Sequence, residues 1–142
     1  MLRFTEEQKM NKETGAAGGS GERPHPVAVV GAARDQQVAK IRELNDRLRV
    51  TGRGGMILMT DGIAGLGREA VERVFDAVRR FNRFNEDNDP HGEHDFGGLK
   101  VDGRSVFWKI DYYDRSRQAG SPDPADEKVT VRILNVMLAE EY

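Results

Sequence analysis

Apolar residues recur at helical spacing in two segments of the chain, residues 35–50 and 68–84. Asp35 is a suitable N-cap for the first segment, and Gly52 is a suitable stop. The first apolar stripe consists of Val38, Ile41, Leu44 and Leu48, and the second of Val71, Val74, Phe75, Val78 and Phe81. Both patterns predict amphipathic helices that bury one side against a core.

Other apolar patterns predict strands. The run Met56–Met59 is short, continuous and bounded by glycine-containing turns, which favours a buried strand. Residues 96–101 and 104–113 are joined by Asp102-Gly103, a dipeptide typical of tight β-hairpins. Alternation along the second of these strands predicts a core-facing set of Val106, Trp108, Ile110 and Tyr112. The stretch TDGIAGLG lies between the Met56–Met59 strand and the helix predicted over residues 68–84. It lacks the Gly-Lys-Ser/Thr ending of a phosphate-binding loop, so it predicts a strand-to-helix turn in which Ile63 and Leu66 point inward.

The C-terminal segment also shows apolar residues three and four positions apart, preceded by Asp126 as an N-cap. We therefore predict a third helix over residues 127–141, with an apolar stripe of Val129, Ile133, Val136 and Met137. The order helix, strand, helix, hairpin, helix predicts an α+β fold. In this fold a small, largely antiparallel sheet, built from one strand plus a β-hairpin, packs against three helices.

The first 34 residues differ in composition from the rest. Residues 15–21, GAAGGSG, cannot contribute to a core, and Pro24 and Pro26 follow them. We predict a disordered, flexible tail over residues 1–34 and a single domain over residues 35–142. No apolar run approaches the roughly 20 residues of a membrane span, and the first residues do not resemble a signal peptide, so we expect no membrane partner.

The chain contains no cysteine, which excludes disulfides, thiol catalysis and cysteine-ligated metal centres and is compatible with a cytoplasmic location. Residues 1–83 carry 15 Lys/Arg and 11 Asp/Glu, whereas residues 84–142 carry 7 and 13. The acidic second half is unlike a nucleic-acid surface, but it can attract cations or a basic partner. Nucleic-acid binding is a further alternative only through the first helix, whose solvated side is expected to carry Arg42, Arg47, Arg49 and Arg53.

Residues 85–95, NEDNDPHGEHD, form the candidate site, because Pro90 and Gly92 exclude a regular helix and polar groups are concentrated there. An imidazole beside carboxylates can transfer protons near neutral pH, so the candidate catalytic residues are His91, Glu93, His94 and Asp95. A divalent metal is the one cofactor that this composition suggests, with His91, His94 and Asp95 as candidate ligands. No established metal motif is present.

Two other interpretations of this loop stay open. The structural one is that its Asn and Asp side chains cap turns while the loop covers the sheet edge. The other is recognition of a protein partner, for which the candidate binding residues are Asp87, Asp89, Lys109, Asp111 and Tyr113. We expect Lys109, Asp111 and Tyr113 to lie near the loop if they share its side of the sheet. Alternation assigns Trp108 to the core rather than to a binding surface.

A resemblance to a known family rests on five stretches: RELNDRLRVTG, TDGIAGLG, FNEDNDPHGEHDFG, FWKIDYYD and DPADEKVTVRILNVMLAEEY. Together they cover roughly residues 40–142 and resemble an uncharacterised bacterial family known only as a domain of unknown function. The resemblance implies a small accessory protein, often encoded on plasmids and other mobile elements. It favours a non-enzymatic protein that binds a protein partner, with an anti-CRISPR or anti-restriction role against host defence. The alternative is a metal-dependent or His/carboxylate hydrolase, similar to a nuclease, that uses the 85–95 loop.

Overall fold

The computed structural model describes residues 27–142. Its first element is helix α1, Val27–Thr51. This helix begins well before the expected start, so Asp35 lies inside the helix and does not cap it, and residues 27–34 belong to the helix rather than to a tail. The rest of the predicted tail lies outside the described residues. In the described part of the chain, no helix is long and apolar enough to cross a membrane.

Four strands form one sheet in the order β1-β4-β3-β2. Their bounds are β1 Met56–Met59, β2 Phe96–Val101, β3 Arg104–Tyr113 and β4 Val131–Leu138. Strand β1 pairs with β4 in parallel, whereas the β2–β3 and β3–β4 pairs are antiparallel. The predicted α+β class is confirmed, with a mixed sheet that is antiparallel in two of its three pairings.

The predicted C-terminal helix is wrong, because most of its residues form β4, a central strand. Only two short 3₁₀ turns flank it, Glu127–Val129 and Ala139–Glu141. Every side chain from Arg132 to Leu138 is buried, as expected for a strand covered on both faces. A segment with six apolar residues out of eight fits such a strand as well as it fits a helix. Asp126 does act as a cap, but of the first 3₁₀ turn, where it accepts from Lys128 N–H.

The helices pack on one side of the sheet, which we call the inner face. Helix α2 is the short segment Asp61–Ala64 and helix α3 is Arg68–Arg79. The shared core comprises Leu48, Ile63, Val74 and Val78 from the helices and Val106, Trp108, Ile110, Leu134 and Val136 from β3 and β4. The predicted core-facing side of β3 and the inward position of Ile63 are therefore confirmed.

Helix α3 ends at Arg79, before the expected end at Phe84. Beyond this point Phe81 and Phe84 pack edge-on against Trp108, with ring centroids 5.5 and 6.1 Å away. Such edge-to-face contacts add to the stability gained by burying the rings. The early end of the helix thus brings two aromatic rings into the core and starts the loop that follows.

The β2–β3 hairpin closes through Asp102 and Gly103, as predicted. Their φ angles are +52° and +77°. Positive φ at both central residues is the geometry of a type I′ turn, whose twist matches the flanking strands. Asp102 also pairs with Arg73 of α3, with Nη2 2.8 Å from Oδ2, so the turn is tied to the helical layer.

Gly97 of β2 lies where a side chain would collide with the core. A Cβ atom there would be 2.4 Å from Nε1 of Trp108 and 2.7 Å from Cζ of Phe81. Because both rings are held by packing, we expect Gly97→Ala to lower the free energy of unfolding by about 1–3 kcal/mol in urea denaturation. Gly98→Ala is the control, since its Cβ would come no closer than 3.1 Å to Phe107. Equal stability of the two variants would contradict this packing.

Candidate functional site

The loop between α3 and β2 lies against helix α1 and is bound by polar side chains of that helix. Arg42 donates from Nη1 to the carbonyl of Gly92 at 2.9 Å, and Asn45 donates from Nδ2 to the carbonyl of Glu93 at 3.0 Å. Residues 42, 45, 46 and 49 share one side of the helix by their three- and four-residue spacing. Helix α1 therefore supplies the groups that hold the 85–95 loop in place.

His94 is held between two carboxylates. Its Nδ1 lies 2.9 Å from Oδ1 and 3.1 Å from Oδ2 of Asp46, while its Nε2 lies 3.7 Å from Oδ2 of Asp89. The backbone N–H of His94 donates to Oδ1 of Asp89 at 3.1 Å. The imidazole also stacks on Phe84, with centroids 3.7 Å apart and planes 5° apart. The ring is therefore held by hydrogen bonds at Nδ1 and by stacking on one flat side, and Nε2 points toward Asp89.

The backbone of His94 is left-handed, with φ at +54°. A residue with a side chain pays about 1–2 kcal/mol for this conformation and keeps it only where the surroundings impose it. Here the contacts to Asp46, Asp89 and Phe84 supply that restraint. Strained backbone of this kind concentrates at sites where a side chain must be aimed in one direction.

A second polar cluster lies between α1 and the inner face of the sheet. Tyr112 donates its hydroxyl hydrogen to Oε1 of Glu93 at 2.7 Å and accepts from Nδ2 of Asn45 at 2.8 Å. Arg132 of β4 donates from Nε to Oδ1 of Asn45 at 2.7 Å. Burial raises the pKa of Tyr112 well above 10, and the negative charges of Asp95 and Glu93 raise it further. Tyr112 is therefore a neutral hydrogen-bond donor at physiological pH.

Arg49 links α1 to the end of α3. Its buried guanidinium donates to the carbonyls of Val78, Arg79 and Phe81 at 3.1, 3.0 and 2.9 Å. Nη2 also lies 3.2 Å from Oδ1 of Asp46, the same carboxylate that holds His94. The prediction that Arg49 lies on a solvated side of α1 is therefore wrong. Arg42 and Arg49, on which the nucleic-acid alternative depended, both bind groups of this chain.

The candidate site residues of the 85–95 loop differ in their burial. Asp87 and His91 are exposed, His94 is partly buried, and Asp89, Glu93 and Asp95 are buried. Among residues 27–142, no group of three or more His, Asp or Glu side chains is arranged to hold a metal ion. The structure thus does not bring His91, His94 and Asp95 together as three ligands.

The three candidates on β3 lie on the opposite face from the loop cluster. Lys109 and Asp111 are buried with Nζ 3.5 Å from Oδ1, and Tyr113 follows on the same face. Burial, together with the charge of Asp111, raises the pKa of Tyr113 to about 12. Tyr112, on the inner face, contacts the loop through its side chain, and Ile110 N–H donates to the carbonyl of Asp95 at 2.8 Å. The condition under which these three residues were expected to lie near the loop, a shared side of the sheet, is therefore not met, although Lys109 pairs with Phe96, the residue that follows the loop.

Four residues of the site were missed by sequence reasoning: Asn45, Asp46, Tyr112 as a polar group, and Arg132. The sequence could have identified Asn45, because it lies four residues after Ile41 and three before Leu48, inside the apolar stripe of α1. A polar residue in such a stripe is buried and needs hydrogen-bond partners. Arg132 gave the same signal inside the apolar run of β4.

Removing the Arg49 guanidinium should strongly destabilise the fold. We expect Arg49→Met, which keeps an apolar side chain of similar length, to lower the free energy of unfolding by about 3 kcal/mol. The loss arises because three backbone carbonyls and Asp46 lose a charged donor. Urea denaturation measures the change. Arg53→Met, at an exposed position just beyond α1, should change stability by less than about 0.5 kcal/mol.

The pH dependence of stability should reflect Asp89. Burial raises the pKa of Asp89, the hydrogen bond from His94 N–H opposes part of this rise, and the charge of Asp95 adds to it. Because the folded-state pKa is raised, the folded chain binds this proton more tightly than the unfolded chain. The tighter proton binding by folded Asp89 stabilises the fold. This stabilisation is complete below the unfolded-state pKa of about 3.9 and is lost as the pH rises through the folded-state pKa.

We therefore expect the stability of Asp89→Asn, relative to the unsubstituted chain, to increase as the pH rises from about 3 to 7. The Asn side chain can still accept from His94 N–H, so the loop geometry is retained. The measurement is a series of urea denaturation curves at stepped pH. Asp87→Asn, at an exposed position of the same loop, should show no such trend. A stability difference for Asp89→Asn that does not vary with pH would contradict the assignment.

A family model described as Protein of unknown function (DUF3768) matches residues 59–141, which extend from the end of β1 through β4 and include the whole loop. None of the curated proteins compared matches the chain. No solved structure matches it either. The matched residues make up more than half of the chain, so the expected membership in a family of unknown function is confirmed. The chain belongs to the family Protein of unknown function (DUF3768).

Proposed function

We propose that the chain is a non-enzymatic protein-binding domain that pairs with an extended segment of its partner along the open edge of β1. In the described part of the chain, β1 pairs on one side only, with β4. Natural edge strands are commonly protected by Lys, Pro or a bulge, and the sequence of β1, Met-Ile-Leu-Met, contains no such residue. This apolar edge, without Lys, Pro or a bulge, is the observation that supports the proposal.

The backbone of β1 offers hydrogen-bonding groups to a partner. Just beyond the strand, Thr60 N–H donates to the carbonyl of Val136 at 3.0 Å. In a parallel pair alternate residues direct their N–H and C=O groups to the same neighbour, so those of Ile57 and Met59 point toward the open edge. An extended partner segment can pair with them, which is the binding mode called β-augmentation.

The side chains beside this edge define the partner's chemistry. Ile57 is 37% exposed and Met59 is 42% exposed. Ile57 and Met59 point to the same face of the strand. Four residues provide few backbone hydrogen bonds, so the apolar side chains must contribute much of the affinity. The fitting partner is an extended segment with an apolar residue at every second position.

This surface differs from the one that the sequence nominated. Asp89, Lys109 and Asp111 are buried, so they are poorly placed to contact a partner directly. A host-defence protein as partner, and a role in mobile elements, stay predictions from the family resemblance. We also propose that the protein acts in the cytoplasm. The absence of cysteine is compatible with this location.

The hydrolase alternative is less well supported by the geometry of His94. A general base or a metal ligand needs one imidazole nitrogen directed at the substrate or the ion. Nδ1 of His94 faces Asp46 and Nε2 faces Asp89, both of this chain. This arrangement favours a role for His94 in holding the loop against α1.

The test compares partner capture by two full-length variants. Ile57→Lys combined with Met59→Lys places charges on the open edge and removes its apolar side chains. We expect proteins captured from a lysate of the native host to bind this variant at least ten-fold more weakly, about 1.4 kcal/mol. Ser105→Lys, at an exposed position of the β2–β3 hairpin, is the control and should capture them normally.

Hydrogen exchange then tests the binding mode with a captured partner. Pairing along β1 should slow exchange of the Ile57 and Met59 amides in the complex, because they become hydrogen-bonded donors. Normal capture by the double variant, or unchanged exchange at both amides, would refute the proposal. Circular dichroism of each variant confirms that the fold is retained.

A further inference from the structure

The open edge of β1 is apolar along its whole length. The strand, Met56–Met59, carries no charge, and Ile57 and Met59 are 37% and 42% exposed. The helices on the inner face therefore leave a large part of both side chains uncovered. The partner that fits this edge is an extended segment with an apolar residue at every second position. The β1 strand of another copy of this chain has this composition.

We propose that the partner at this edge is a second copy of this chain, and that the two β1 strands pair antiparallel about a two-fold axis between their Leu58 residues. The inference rests on the proposed function, which assigns strand pairing to the β1 edge, and it names the partner. A two-fold interface uses the same patch on both copies, so the patch must complement itself. An uncharged strand meets this requirement, because no like charges come to lie opposite each other.

The backbone of β1 permits this register. The N–H and C=O groups of Ile57 and Met59 point toward the open edge, because β1 runs parallel to β4 and Thr60 N–H donates to the carbonyl of Val136. With the axis between the two Leu58 residues, Ile57 of each copy lies opposite Met59 of the other. Residues paired in this way exchange both of their backbone hydrogen bonds. The outward groups of Ile57 and Met59 therefore all gain partners.

The exposed side chains of the two copies also meet. Ile57 and Met59 point to the same face of the strand, so Ile57 of one copy packs beside Met59 of the other. Each such pair hides apolar surface that is exposed in the single chain. The pairing therefore supplies the apolar contact that so short a strand needs.

The charges that flank β1 select the antiparallel orientation. Arg53 precedes the strand, Asp61 follows it, and both are exposed. Antiparallel pairing brings the start of one strand beside the end of the other, so Arg53 of each copy lies near Asp61 of the other. Parallel pairing would instead bring like charges together at each end. Complementary charges at the rim of an interface fix its orientation in this way.

The other edge of the sheet is unsuited to such pairing. Among the described residues, the sheet has β1 at one edge and β2 at the other. Strand β2 carries an exposed lysine, Lys100, and lysine is a residue type that commonly blocks pairing at an edge. A sheet joined through β1 ends in β2 on both sides. Self-pairing thus covers the apolar edge and leaves the lysine-bearing edge open.

Disulfide trapping in the full chain tests the register, because the chain has no native cysteine. Leu58 would face Leu58 of the second copy in a non-hydrogen-bonded pair with Cα atoms about 4.5 Å apart, which suits a disulfide. Met56 is the matched control, since it lies on the same face of β1, is also partly exposed and lies outside the core cluster, as Leu58 does. In this register the two Met56 residues lie about 13 Å apart along the strands, too far for a disulfide.

We therefore expect Leu58→Cys, oxidised with copper–phenanthroline, to form at least ten-fold more disulfide-linked dimer than Met56→Cys at equal concentration. The yield is measured on non-reducing gels. Absence of this dimer, or equal crosslinking by both variants, which indicates another register or random collision, overturns the proposal.

Sedimentation velocity of the unsubstituted full chain gives a second measurement. We expect a monomer–dimer equilibrium at micromolar concentrations, because the interface is small. Ile57→Lys combined with Met59→Lys should raise the dimer dissociation constant at least ten-fold, whereas Ser105→Lys on the β2–β3 hairpin should leave it unchanged. A chain that stays monomeric overturns the proposal. If such a chain still captures lysate proteins through β1, the proposed function stands without self-pairing, so the two failures are distinguishable.

Discussion

Burial of β4 on both of its faces is the constraint on which the rest of the structure depends. The strand lies between β1 and β3, and its alternate residues point to the inner face and to the opposite face of the sheet. Arg132 is the polar residue of β4 on the inner face, where its guanidinium lies 5.2 Å above the ring of Tyr112 and binds Asn45. A buried cation requires such partners. The polar cluster between α1 and the loop thus follows from an arginine in a central strand.

The elements that sequence reasoning predicted well are those with local signals. The β2–β3 hairpin depends on Asp102 and Gly103, whose preference for positive φ is a property of the two residues themselves. Strand β4 was not predictable in this way. The spacing of Ile133, Val136 and Met137 fits one side of a helix, and only pairing with two distant strands decides between helix and strand.

The candidate site shows the same division. The carboxylates and histidines of the 85–95 loop could be identified from composition, but their partners come from elsewhere in the chain. Asp46 holds His94 and Asn45 holds the backbone of Glu93, and both depend on how α1 packs across the loop. The burial of Lys109 and Asp111 could not be predicted from the sequence either. Alternation placed both residues opposite the core side of β3, and the structure shows that they are buried on that side.

The parallel pairing of β1 with β4 has a consequence for synthesis of the protein. Met56 pairs with Ile133, so β1 leaves the ribosome roughly 75 residues before its partner strand. At about 5–20 residues per second, this delay lasts about 4–15 s. During that time the nascent chain contains a Met-Ile-Leu-Met run with no β4 to pair with, whereas the β2–β3 hairpin can form as soon as it emerges. We therefore expect any mispairing of β1 to fall in this interval, which ends when β4 becomes available.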